Sequence, residues 1–123
     1  MPLEVSAPFH CELMASAAEK LALELGSVRF RDPRVPVVTN VEASPCDEAA
    51  RLPTLLARQV TAPVRFTEMV ARLAELGVTH VLEVGPGRVL TGLVARIVRD
   101  LRRANLSSLA ALDEAASFAV AGR

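Results

Sequence analysis

Apolar residues recur at Leu13, Met14, Ala17, Ala18, Leu21 and Leu25, the three-to-four spacing of a helix buried on one face. That spacing predicts a first helix over 11–25, with Gly26 as its stop. The next stretch, 34–41, is rich in β-branched residues, and Pro33 and Pro36 keep it out of a helix, so it reads as an extended segment near a sheet edge. Ser44-Pro45-Cys46-Asp47 is turn chemistry. A second helix is expected over 47–59, turning Ala50, Leu52, Leu55, Leu56 and Val60 inward. Pro63 breaks the pattern, and Met69, Val70, Leu73 and Leu76 then predict a third helix over 67–76, closed by Gly77. The strongest strand signal is 78–84. A Gly85-Pro86-Gly87 turn leads from it into a helix with Val89, Leu90, Leu93, Val94 and Ile97 inside and Arg96, Arg99 and Asp100 outside. The alanine-rich remainder has room for one short helix at about 106–118 and otherwise reads as a docking or frayed tail. Strand and helices in this order imply an α/β fold with helices packed on a sheet.

Composition narrows the classes of function. The chain has 123 residues, 51% of them hydrophobic, which suits one folded domain with a core. Its 14 basic and 14 acidic residues cancel, and no basic cluster is interleaved with aromatics, so a nucleic-acid partner is excluded. The apolar runs fall short of a membrane span, and Met1-Pro2-Leu3-Glu4 lacks a signal-peptide pattern; a cytoplasmic protein with no membrane partner is expected. Cys11 and Cys46 are the only cysteines. Without a CxxC pair or histidines at ligand spacing, neither a metal site nor a disulfide scaffold is expected.

Candidate chemistry centres on His10, one of only two histidines. Pro8 restricts the backbone before it and the first helix opens just after it. The positive end of a helix disfavours an imidazolium, so a histidine held there suits a general base. A capping or packing role is the structural alternative. Cys11, beside it, is a candidate nucleophile because a helix N-terminus favours a thiolate; a small apolar residue in the first turn is the simpler account. Gly85-Pro86-Gly87 invites a phosphate-cradle reading, but Pro86 removes an amide and no G-x-G-x-x-G or P-loop pattern is present, so a tight turn is expected.

Pro8-Phe9-His10-Cys11 with Leu13-Met14 and Ala17-Ala18, then Arg58-Gln59-x-x-x-Pro63-Val64-Arg65-Phe66, then Gly77-Val78 and Glu83-Val84-Gly85-Pro86-Gly87-Arg88-Val89-Leu90, resemble in order and spacing the C-terminal portion of the bacterial malonyl-CoA:acyl carrier protein transacylases. The resemblance covers residues 3–101. It implies an α/β fold that is the C-terminal part of an α/β-hydrolase-like acyltransferase large subdomain, helix-rich with one or two strands. Residues 1–10 would end the small ferredoxin-like subdomain and return to the large one, 11–101 would belong to the large subdomain, and 102–123 would be a tail.

The resemblance also implies a reaction. A serine attacks the malonyl thioester, a histidine takes its proton, and the acyl-serine is then attacked by the phosphopantetheine thiol of acyl carrier protein. On that likeness His10 is the base, and Gln59 orients it through its main-chain carbonyl, fixing the tautomer. The Gln59 side chain would matter little. Asn40 falls in the family's valine-rich segment ending in Asn-Val and reads first as a turn former, only weakly as a site residue. His80 matches no site residue and is taken as structural, as are Arg58, Arg65 and Arg88.

The family nucleophile stands in a Gly-His-Ser-x-Gly elbow, and none of Ser6, Ser16, Ser27, Ser44, Ser107, Ser108 or Ser117 has a G-x-S-x-G context. The carboxylate-binding arginine and the oxyanion-hole glutamine have no match either. The expected partners are therefore malonyl-CoA, acyl carrier protein and the N-terminal portion of the enzyme, with no cofactor. Alone, the chain would be inactive. The competing readings are a non-catalytic remnant or interaction module of the same fold and, third, a hydrolase using Cys11 with His10.

Overall fold

In the computed structural model, residues 8–122 are described. Val5, Ser6 and Ala7, and with them most of the segment 1–10 assigned to a small subdomain, lie outside the described residues, as does Arg123. The chain divides into two compact units, Met1–Met69 and Val70–Arg123.

In the first unit, a 3-10 turn at Glu12–Met14 leads into helix α1, Ala15–Ser27. The expected stop at Gly26 is corrected by one residue: the Ser27 hydroxyl donates to the Glu24 carbonyl at 2.7 Å and Val28 N–H to Leu25 at 3.1 Å. Leu13, expected inside, is 79% exposed. Two short strands follow, β1 at Val37–Val38 and β2 at Pro45–Cys46, paired antiparallel with Val37 opposite Cys46 and Val38 opposite Pro45. The turn chemistry read at 44–47 therefore belongs to a strand, and the turn itself lies at 40–42. Ala43 N–H bonds the Thr39 carbonyl at 2.9 Å to close it, with Ala43 at φ 51°.

Helix α2 spans Leu52–Arg58, beginning later than expected. Pro53 has no N–H to give a carbonyl four residues back, so a continuous helix from 47 could not pass through it; it is accommodated only in a first turn. Residues 48–51 instead form a separate turn held by the Asp32 carboxylate, which accepts from Ala49 N–H at 2.8 Å. Ala50 is exposed as a result. Cys46, Leu52 and Leu55 form the buried core here with Phe30 against them, and α1 packs on α2.

Helix α3, Phe66–Glu75, lies within a residue of its expected span. Gly77, at φ +82°, ends it. Its N–H bonds Ala74 and that of Val78 bonds Leu73, both at 3.0 Å, the paired closure that a left-handed residue after a helix allows.

The second unit holds strand β3, His80–Val84, helix α4, Val89–Ile97, strand β4, Arg102–Leu106, and helix α5, Leu112–Ala121. Strands β3 and β4 are parallel, with His80 opposite Arg102 and Val84 opposite Leu106. Both α4 and α5 pack on this pair. The tail reading is thus corrected: 102–106 is a strand, and the following helix begins after a 3-10 turn at Leu109–Ala111 and docks through buried Ala115. Val94 and Leu101 are the other buried apolar residues of the β3–α4–β4 segment, while Val89 and Leu90, expected inside, are exposed.

Candidate functional site

His10 immediately precedes Cys11, the N-cap of the 3-10 turn, and has φ 57°, a left-handed backbone uncommon outside glycine. Such a conformation costs on the order of 1–3 kcal/mol and persists only where its surroundings impose it. Here the ring is held from 49 residues away: His10 Nδ1 lies 2.7 Å from the main-chain oxygen of Gln59. A carbonyl can only accept, so Nδ1 carries the proton, and in the neutral ring Nε2 keeps a free lone pair. The ring is exposed, on a surface where a second reactant has access.

The Gln59 carbonyl is available because of where α2 ends. Gln59 is its C-cap, and the last carbonyls of a helix lack partners within it. Val60 N–H bonds Ala57, and Thr61 and Ala62 both bond Arg58, at 3.1–3.2 Å. Pro63 then turns the chain away. The Gln59 side chain is engaged as well, since its Oε1 accepts from Asn40 Nδ2 at 2.8 Å. Asn40 is at the tip of the β1–β2 hairpin, beside a cavity of about 100 Å³ walled by Val38, Leu52, Leu55 and Leu56.

Sequence reasoning brought His10 and Gln59 forward, and the structure brings them together. Asn40, read first as a turn former and only weakly as a site residue, joins them through the Gln59 side chain. Arg58 and Arg65 are occupied structurally. Arg58 Nη1 lies 3.3 Å from Glu42 Oε1, and Arg65 donates to the Glu42 carbonyl at 3.1 Å while pairing with the Glu68 carboxylate. That pairing holds the Glu68 carboxyl below its ordinary value, through the hydrogen bond first and the charge of Arg65 second. The Cys11 thiol donates to the Pro8 carbonyl at 3.1 Å, turned to its own backbone.

In the second unit, the Gly85-Pro86-Gly87 turn opens α4, but the amides there are filled from within. The Glu83 carboxylate accepts from Leu90 N–H at 3.1 Å, from Thr91 N–H at 2.8 Å and from the Thr91 hydroxyl at 2.5 Å. A phosphate would have to displace it. Asn105 of β4 pins the same turn, donating to the Gly87 carbonyl at 2.8 Å. His80 packs its ring edge-on to Phe118 with centroids 4.9 Å apart and meets the Thr79 hydroxyl at 2.8 Å, a packing role. Among the described residues no three His, Cys, Asp or Glu side chains gather as metal ligands, and no helix is long and apolar enough to cross a membrane.

A histidine whose Nδ1 is tied to a peptide carbonyl has its tautomer fixed, with Nε2 left to accept a proton, and comparison with known proteins finds acyl-transfer enzymes. The chain is a relative of the malonyl-CoA:acyl carrier protein transacylases and matches their C-terminal portion. It is 49% identical over 115 residues to the malonyl CoA-acyl carrier protein transacylase of Salmonella typhimurium, covering 94% of this chain and 37% of that protein. Among solved structures, the acyl-carrier-protein S-malonyltransferase of Bartonella henselae superposes with a TM-score of 0.85 at 36% identity, over 98% of this chain and 38% of that one. A malonyl-transacylase solved in complex with a type II polyketide acyl carrier protein gives 0.82 at 47% identity, over 94% and 37%. No family model matches. The chain spans a little over a third of the length of these relatives.

Proposed function

We propose that this chain supplies the general base of a malonyl-CoA:acyl carrier protein transacylase, the nucleophilic serine coming from outside these 123 residues. In that reading the serine hydroxyl attacks the malonyl thioester carbonyl while His10 Nε2 takes its proton. The carbon–sulfur bond breaks, and the imidazolium returns the proton to the departing CoA thiolate. The phosphopantetheine thiol of acyl carrier protein then gives its proton to Nε2 and attacks the acyl-serine ester, and the serine oxygen leaves with that proton. Gln59, through its carbonyl, keeps the proton-accepting nitrogen turned outward in both halves.

The contact that carries this reading is the 2.7 Å bond from His10 Nδ1 to the Gln59 carbonyl. It fixes the tautomer that proton abstraction requires. The fold belongs with it: 11–101 as the C-terminal part of an α/β-hydrolase-like large subdomain and 1–10 as the return from a small ferredoxin-like one. A cytoplasmic setting follows from the substrates.

The test is malonyl transfer by the transacylase that contains this chain, with His10→Ala and with His10→Asn, since asparagine tolerates the left-handed backbone. Both should lose roughly 10²- to 10⁴-fold, the scale of a removed proton-transfer group, with folding intact because the ring is exposed. Undiminished transfer by both would overturn the proposal and favour a remnant that kept the packing without the chemistry.

A further inference from the structure

We infer that Asn40 is a positioning residue for His10, acting through the side chain of Gln59; the inference rests on the reading of His10 as a base and extends it to a residue of the valine-rich segment that reads first as a turn former. Three observations combine. Asn40 Nδ2 donates to Gln59 Oε1 at 2.8 Å in a half-buried setting, where a hydrogen bond is stronger than in water. The hairpin tip bearing Asn40 is itself anchored, for its carbonyl accepts from Arg65 N–H at 3.1 Å and Glu42, two residues on, is bonded by Arg51 at 2.8 Å and Arg58 at 3.3 Å. Gln59 is the C-cap of α2, its own N–H bonded to Leu55 at 3.1 Å and that of Val60 to Ala57 at 3.2 Å, so its carbonyl leaves the helix end without a partner inside it. With Arg58 tied to Glu42 and the Gln59 side chain tied to Asn40, the residue whose carbonyl meets Nδ1 of His10 is held from its side chain as well as from the helix end. The order of restraint is hairpin tip, amide side chain, peptide plane, imidazole.

The tautomer of His10 reads this out directly. In the full 123-residue chain labelled with ¹⁵N-histidine, the two ring nitrogens are followed by NMR, with His10→Asn assigning the His10 signals against those of His80. The wild-type ring should be held as the Nδ1–H form. Asn40→Ala should lower the ratio of Nδ1–H to Nε2–H by roughly 3- to 10-fold, the scale of one hydrogen bond. Gln59→Ala should do the same, and the double variant should go no further, because both remove one bond. Asn40→Asp should retain the wild-type ratio, since the Gln59 amide can turn and donate to the carboxylate. A folded Asn40→Ala chain with an unchanged ratio, or additive effects of the two alanine variants, would overturn the inference. Should Asn40→Ala fail to fold, a folded Asn40→Asp chain with a scrambled ring overturns it instead. No acyl transfer enters this measurement, so its failure leaves the base assignment standing, and full activity of the His10 variants would leave the tautomer result standing.

Discussion

Gln59 meets His10 through an atom that no substitution removes and meets Asn40 through atoms that nearly every substitution does. Gln59→Ala therefore separates the two. The carbonyl 2.7 Å from Nδ1 persists, while the 2.8 Å tie to Asn40 is lost and with it the side-chain restraint on this residue. On the function proposed above, malonyl transfer by a transacylase containing this chain should fall roughly 3- to 10-fold, a hydrogen bond's worth of orientation, well short of the loss on His10→Ala. Steady-state kcat/KM for the two variants checks this, and equal losses would refute a main-chain role. The side chain expected to matter little is thus the one bonded to Asn40. His10 was legible because a histidine opening an amphipathic pattern is conspicuous and its neighbours match a family motif. Gln59 was legible only through the family likeness. Asn40 was legible only weakly, because a side-chain bond spanning 19 residues leaves no trace in local propensity; asparagine at a turn is explained well enough by the turn.

The elements were most legible where one period or one punctuating residue dominates. Gly77 closes α3 as expected because the paired closure, Gly77 N–H on Ala74 and Val78 N–H on Leu73, needs a residue at φ +82°, which glycine adopts without strain. Strand β4 escaped because Arg-Arg-Ala-Asn-Leu has little β propensity of its own and is extended only by pairing with β3. The start of α4 shows how a strand and its following helix are joined by charge. Glu83, on β3, uses its carboxylate as the cap for Leu90 and Thr91, and those bonds, the Thr91 hydroxyl first and the Thr91 amide next, hold its carboxyl below the usual value of 4.5. A carboxyl depressed in the folded state binds its proton less readily there than in the unfolded chain, so its contribution is present above the unfolded value and fades as pH falls through the folded one. Glu83→Gln keeps one acceptor but loses the charge and the second oxygen. It should destabilise the chain at pH 7, with the gap from wild type closing as both are taken down through and below the carboxylate range. Denaturant midpoints measured across pH check this; a gap that stays constant into strong acid would show that the carboxylate is not the cap.

Across the whole chain, the apolar surface exceeds what the buried residues use. Only a handful of described hydrophobic residues are buried, among them Cys46, Leu55, Val70 and Leu101, and a single side chain, Cys46, is below 2% exposed. Against these stand Leu13 at 79%, Leu23 at 78% and Leu109 at 90% exposed, with Phe9 beside the candidate base also open. Hydrophobic side chains left in water forgo about 1.5–3 kcal/mol each relative to burial, and contiguous apolar surface is what association covers. The solved relatives superpose with TM-scores above 0.8 over a chain more than twice as long, so the same packing can occur with further chain present to cover it. On its own the 123-residue chain is therefore expected to bind an environment-sensitive hydrophobic dye and to self-associate with rising concentration, and the first portion of a homologous transacylase added in trans is expected to suppress both. Light scattering after size exclusion and dye fluorescence, each across a dilution series, decide it. A monomer that stays dark with the dye and melts in one cooperative transition would mean that these exposed leucines are ordinary scattered surface residues, and that the two units satisfy their own hydrophobic surface without a covering partner.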